Sequence, residues 1–175
     1  MTSSTQPALG AIRLAWWREA LERLDASPPP PEPRLQAAAA ELLPRGVTGT
    51  MLAGLEDGWA TLLDEEPDIE RVRERGVKLF AMGATLLGAT DKLLEAAGRL
   101  YGYESAFRTE LIRPYWPMEE MHQLYRHRFP RRLRPLTSLA RLAARDARRR
   151  PDKEPEAMPG RAATLLAHRL LGRVN

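Results

Sequence analysis

The chain contains no cysteine, which excludes disulfides, thiolate zinc sites and cysteine nucleophiles together. Lysine is nearly absent, at positions 78, 92 and 153 only, so the positive charge is almost all arginine, the side chain suited to planar recognition of phosphate or carboxylate. No segment approaches the roughly 20 consecutive apolar residues that cross a bilayer. With 43% hydrophobic residues and a mean hydropathy of −0.43, the chain is predicted to be globular and not to span a membrane. The opening Met-Thr-Ser-Ser-Thr-Gln-Pro has neither a basic stretch nor an apolar core, so no signal peptide is predicted and a cytoplasmic setting is expected. Val and Ile are scarce, no segment alternates, and Ala, Leu, Arg and Glu dominate, which predicts an all-α fold. There is no glycine-rich phosphate loop and no nucleophile elbow. The three histidines, His122, His127 and His168, lack compact ligand spacing, and no metal site is expected from them.

What is present reads as a bundle of about eight helices, near 7–25, 34–44, 48–65, 68–88, 90–110, 117–128, 135–149 and 159–173. At 175 residues a single core is expected. Residues 1–149 form the predicted helical domain, and 150–175 a charged linker with a C-terminal amphipathic helix. Ser27-Pro28-Pro29-Pro30-Pro31-Glu32-Pro33 is a stiff polyproline spacer, with docking into an aromatic groove as its alternative. Pro44-Arg45-Gly46 stops the second helix and Thr48 caps the third.

The first helix carries the densest signal. At about 100° per residue, Leu9, Ile12, Leu14, Trp16, Trp17, Ala20, Leu21 and Leu24 share a broad arc. Arg13 falls inside it, and a guanidinium buried there needs a carboxylate, a phosphate or backbone carbonyls. Trp16 and Trp17 read either as core anchors or as a ligand platform.

Charge divides along the chain. Residues 1–125 hold 13 Lys and Arg against 19 Asp and Glu, whereas 126–175 hold 14 against 4. Within that tail Arg131, Arg132, Arg134, Arg141 and Arg145 stand near a stripe of Leu136, Leu139, Ala140, Leu142 and Ala143, a pattern that suits an anionic membrane surface. Pairing with the acidic front of the same chain is the alternative. Aromatic residues are not interleaved there, so no nucleic acid is expected.

The run Leu9-Gly10-Ala11-Ile12-Arg13-Leu14-Ala15-Trp16-Trp17-Arg18-Glu19-Ala20-Leu21 resembles the tryptophan helix of bacterial squalene/phytoene synthase-like proteins. Asp57-Gly58-Trp59 is similar to the acidic-Gly-aromatic stretch of that family. Leu79-Phe80-Ala81 and the segment from Pro130 to Asp146 also resemble parts of its short bacterial members. The resemblance implies an isoprenoid-synthase-like helical fold. In active members, two aspartate-rich motifs hold Mg²⁺ against prenyl diphosphates that are joined head to head. Here the seven or so residues ahead of the tryptophan helix leave no room for the first motif, and Ser105 stands where the second expects an aspartate, with Glu104 beside it.

The expected function is therefore a member without prenyl transfer that binds lipid or protein, as non-catalytic relatives do when they assist assembly of respiratory complex I. Its expected partners are an anionic membrane surface, with the chain peripheral at the inner membrane, or a protein, and a prenyl lipid. No cofactor is expected on this reading. The alternative is a Mg²⁺-dependent prenyltransferase of isoprenoid or carotenoid biosynthesis, with Glu104, Asp91 and Glu95 as its candidate carboxylates. Arg13 and Arg108 are the candidate ligand- or phosphate-binding residues. Trp16, Trp17, Phe80, Leu100, Tyr101, Tyr103 and Phe107 are the candidate lining of an apolar cavity.

Overall fold

The computed structural model describes residues 7–114, 116–150 and 154–174. In chain order its helices are α1 (Pro7–Arg23), α2 (Pro33–Glu41), α3 (Gly49–Ala53), α4 (Glu56–Ala60), α5 (Ile69–Leu87), α6 (Leu94–Arg108), α7 (Met118–Gln123), α8 (Arg134–Arg148) and α9 (Pro159–Leu171). Short 3₁₀ turns at 43–45, 61–63 and 131–133 join them. The chain is all-α as predicted; among the described residues the only β pairing is one isolated bridge between Arg128 and Arg173.

The expected single helix over 48–65 is broken. Thr48 does cap α3, accepting from the Met51 amide at 3.1 Å, but the helix ends at Gly54 and restarts as α4. Asp25, just past α1, accepts from the Gly49 and Thr50 amides and from the Thr50 hydroxyl, which ties α1 to the start of α3. These donors hold the Asp25 carboxyl below its ordinary value, the Thr50 amide most strongly.

The centre of the molecule is the α5–α6 crossing, which the sequence prepares with glycines. A Cβ on Gly76 would lie 2.1 Å from the Gly98 carbonyl oxygen and 2.8 Å from the Gly102 Cα, so the two backbones touch. α5 begins at Asp68, whose carboxylate accepts from the Glu70 amide at 2.8 Å, and stops at Gly88 in the left-handed region. α8 packs on α6 through the small residues Ala140, Ala143, Ala144 and Ala147, all buried. The main core joins Phe80, Leu100, Leu124, Phe129, Leu133 and Val174. A smaller cluster of Val72, Tyr103, Ala106 and Ile112 lies at the far end of α6.

α9 lies against α8. Buried Arg134 donates to the carbonyls of Arg169 and Leu170, both at 2.8 Å, and so closes the C-terminus of α9 from α8. Phe129 donates its amide to Gly172 at 2.8 Å, which draws Val174 into the main core.

Candidate functional site

Two adjoining cavities flank α6. The first, about 290 Å³, lies between α4, α5 and α6 and is lined by Leu55, Trp59, Arg75, Gly76, Leu79, Tyr101, Ser105, Ala106 and Thr109. The second, about 240 Å³, opens on the α8 side and brings in Glu104, Arg108, Leu139, Leu142, Asp146 and Arg161. Tyr101, Ser105 and Thr109 belong to both.

Local packing places Arg75. Gly58 on α4 leaves no room for a side chain, since a Cβ there would come within 2.5 Å of the Arg75 Cβ. Trp59 then covers the guanidinium, its ring centroid 3.9 Å from Cζ. Asp57 pairs with Arg71, one turn before Arg75 on α5, at 3.0 Å from Nε and 2.7 Å from Nη2. The Asp57-Gly58-Trp59 stretch is thus a seat for two arginines of α5. Only one of them has a carboxylate. Arg75 donates to the Ser105 hydroxyl at 3.2 Å and, at longer range, to the carbonyls of Gly58 and Gly102 at 3.4 and 3.5 Å. Burial lowers its pKa from the ordinary arginine value, yet a guanidinium remains charged.

The polar groups of the second cavity are neutralised internally. Arg108 pairs with Asp146 at 3.1 Å and donates to the Glu154 carbonyl at 3.2 Å; Arg161 also pairs with Asp146. Arg145 grips Glu154 with two hydrogen bonds, at 2.7 and 2.8 Å. Glu104 is fully buried and paired with Arg150, whose guanidinium stacks 4.1 Å from the Phe107 ring. Desolvation pushes the Glu104 carboxyl up to about 7, against the opposing pull of Arg150.

The three candidate carboxylates do not converge. Asp91 accepts from the Leu93 amide and from His127 Nε2 at 2.8 Å, which makes it a local cap and a partner for a ring on another segment. Glu95 is exposed on the first turn of α6, and Glu104 faces Arg150. No group of three His, Asp or Glu able to hold a metal occurs among the described residues.

The tryptophan helix departs most from expectation. Arg13 is exposed rather than buried, and neither Glu56 nor Asp57 pairs with it: Glu56 lies 3.7 Å from Arg18, and Asp57 belongs to Arg71. The reason is that α1 turns Gly10, Leu14, Trp17 and Leu21 inward, and only its C-terminal end, at Ala20 and Leu24, meets Leu35 of α2. Leu9, Ile12 and Trp16 stay uncovered, Trp16 with 49% of its surface exposed. Trp16 borders a groove formed with the polyproline connector, and Trp17 packs against α2 with Arg34 5.9 Å from its ring.

Of the other candidate lining residues, Tyr101 faces both cavities. Phe80 and Leu100 are sealed in the main core, and Tyr103 is buried with its hydroxyl donating to the Arg113 carbonyl at 2.9 Å. Phe107 stacks on Tyr103 with centroids 6.3 Å apart.

The basic tail is also rearranged. The apolar stripe of α8 faces the bundle, so that helix offers no interfacial side. Arg134, Arg141 and Arg145 are used internally, Arg141 donating to the Val174 carbonyl at 2.6 Å. Arg131 and Arg132 remain exposed.

Sequence reading missed Arg75 because one arginine among several charges on an amphipathic helix reads as solvated. Its signal was the Arg71, Arg75, Lys78 stripe opposite the Asp57-Gly58-Trp59 stretch. Compared with known proteins, the chain matches no family model, no curated protein and no solved structure.

Proposed function

We propose that this chain is a squalene/phytoene synthase-like helical module that binds and does not transfer prenyl groups, and that it works as a lipid- or protein-binding domain of the assembly-factor kind, peripheral to an anionic membrane. The observation that carries the reading is the outer face of α9. Leu166, Leu170 and Leu171 are 58%, 65% and 56% exposed, and Arg131, Arg169 and Arg173 stand exposed around them. A groove of about 620 Å³, lined by Arg131, Pro135, Leu165 and Leu170 among others, separates α9 from the start of α8. Leucines that enter the headgroup boundary beside arginines that meet lipid phosphates are the two requirements of interfacial binding. α9, rather than α8, supplies them.

The residues present do not fit the Mg²⁺ sites of the active family members. A Mg²⁺ ion needs several converging oxygen ligands in near-octahedral geometry. Asp91 is committed to His127, Glu104 to Arg150, and Glu95 to solvent.

Vesicle flotation tests the membrane reading. The chain should float with vesicles containing 30% phosphatidylglycerol and remain at the bottom with phosphatidylcholine alone. The double variant Leu166→Ser, Leu170→Ser should lose flotation while keeping its circular dichroism spectrum, because both side chains are already exposed. Equal flotation of the variant, or of the chain with neutral vesicles, overturns the assignment of α9.

A further inference from the structure

The Arg75 guanidinium, 7% exposed, lined up with a cavity and without a carboxylate partner among the described residues, is an uncompensated charge in a low-dielectric setting. Asp57, on α4 opposite the stripe, already serves Arg71 with two hydrogen bonds. Lys78, one turn further along the stripe, donates to the Gly54 carbonyl at 3.1 Å and, with Arg71, lies within electrostatic reach of Asp57, so that carboxylate already answers two cations. Glu104 is turned to Arg150. Among the residues lining the first cavity Arg75 is the charged one, while Leu55, Leu79 and Ala106 make its walls apolar.

We propose that this cavity is a binding site for an amphiphilic acid. A phosphate or carboxylate head takes the guanidinium of Arg75, and a short hydrocarbon chain lies between Leu55, Leu79 and Ala106 toward Thr109. Three features fit that ligand. The bonds of Arg75 to the Gly58 and Gly102 carbonyls are long, so they yield to a charged acceptor at closer range. Ser105, which donates to the Gly102 carbonyl at 2.9 Å, can rotate its hydroxyl toward an anion. Trp59, half exposed, is a lid that stacks on the cation and closes over the head group. The inference is independent of α9 and of the membrane reading.

Calorimetric titration of the full chain with octyl phosphate tests it. Saturable binding to one site is expected, weakened at least tenfold by Arg75→Gln and little affected by Leu166→Ser, Leu170→Ser. Inorganic phosphate should bind at least tenfold more weakly than octyl phosphate, and octyltrimethylammonium not at all. If Arg75→Gln does not fold by circular dichroism, Thr109→Trp decides: Thr109 is exposed at the lip of both cavities, and a bulky ring there should block octyl phosphate without disturbing the core. Unchanged affinity in the folded variant overturns the site. Equal affinity for inorganic and octyl phosphate overturns the amphiphile, and binding of the ammonium compound overturns the charge argument.

Discussion

At Glu104, burial and pairing act in opposite directions and burial wins. Its carboxyl is pushed from 4.5 to about 7 in the folded chain. Between those two values the folded state holds a proton that the unfolded state has released, so stability falls as pH rises through this window. The difference is of order 3 kcal/mol for a shift of this size. Glu104→Gln should therefore gain stability relative to the parent as pH goes from about 4.5 to 7 in urea denaturation; parallel pH profiles of the two proteins would refute the protonated-carboxyl account. His168 has the opposite sign. Its Nδ1 lies 2.8 Å from the Arg173 carbonyl, which can only accept, so Nδ1 carries the proton and the neutral ring's Nε2, 2.9 Å from the Thr137 hydroxyl, shares that hydroxyl's one proton with the Leu133 carbonyl at 3.1 Å. Burial lowers its pKa below the ordinary value of 6.5. The unfolded chain takes up a proton there first, and stability is lost as pH falls below about 6.5. His168→Gln should flatten that acid limb while leaving the Glu104 window in place. Neither role was legible in the sequence: Glu104 stood out only by its neighbourhood to Ser105, and His168 had no visible partner because Thr137 lies 31 residues away.

At the scale of elements, the α5–α6 crossing depends on backbone contact. Gly76→Ala would force its Cβ against the Gly98 carbonyl at 2.1 Å, where nothing can rotate aside, and should destabilise the chain by about 2–4 kcal/mol. Gly83→Ala is the control, because its Cβ would meet only the tip of Leu136 at 2.9 Å, which can shift; a loss below about 1.5 kcal/mol is expected in the same urea titration. Equal losses would mean that the crossing is looser than described. Arg134 gives a second element-scale prediction. Arg134→Ala removes two charge-assisted hydrogen bonds to the last turn of α9, roughly 1.5–3 kcal/mol each by the usual worth of such bonds. Amide exchange in residues 159–171 should then accelerate at least tenfold, with the exchange of α5 unchanged. Helix spans were largely readable because apolar periodicity and caps such as Thr48 are local properties. The break at Gly54 was not, since a glycine inside a helical pattern is compatible with a continuous helix and it is the packing of α3 and α4 against α1 that ends the helix there.

For the molecule as a whole, the contrast between an acidic front and a basic tail is resolved in part internally: within the tail Asp146 and Glu154 gather Arg145, Arg149 and Arg161, while across the division Arg108 of the front joins Asp146 and Glu104 of the front takes Arg150. The arginines on the rim of α9, Arg131, Arg169 and Arg173, stay outside. On the proposed function, the purified chain releases no diphosphate from farnesyl or geranylgeranyl diphosphate in the presence of Mg²⁺; sustained turnover abolished by chelation would overturn it. The sequence by itself determined the helical class and most helix positions, together with the exclusion of cysteine chemistry, because composition, spacing and capping act over a few residues. It also marked Asp57-Gly58-Trp59, but without the arginines that fill it. Only the tertiary structure decided which side of α1 is covered, that the stripe of α8 is core, and that Arg75 faces a cavity without a carboxylate. Each of those depends on which distant helix arrives opposite, and a guanidinium carries the same charge in solvent as beneath a tryptophan; its partners, set by packing, make the difference.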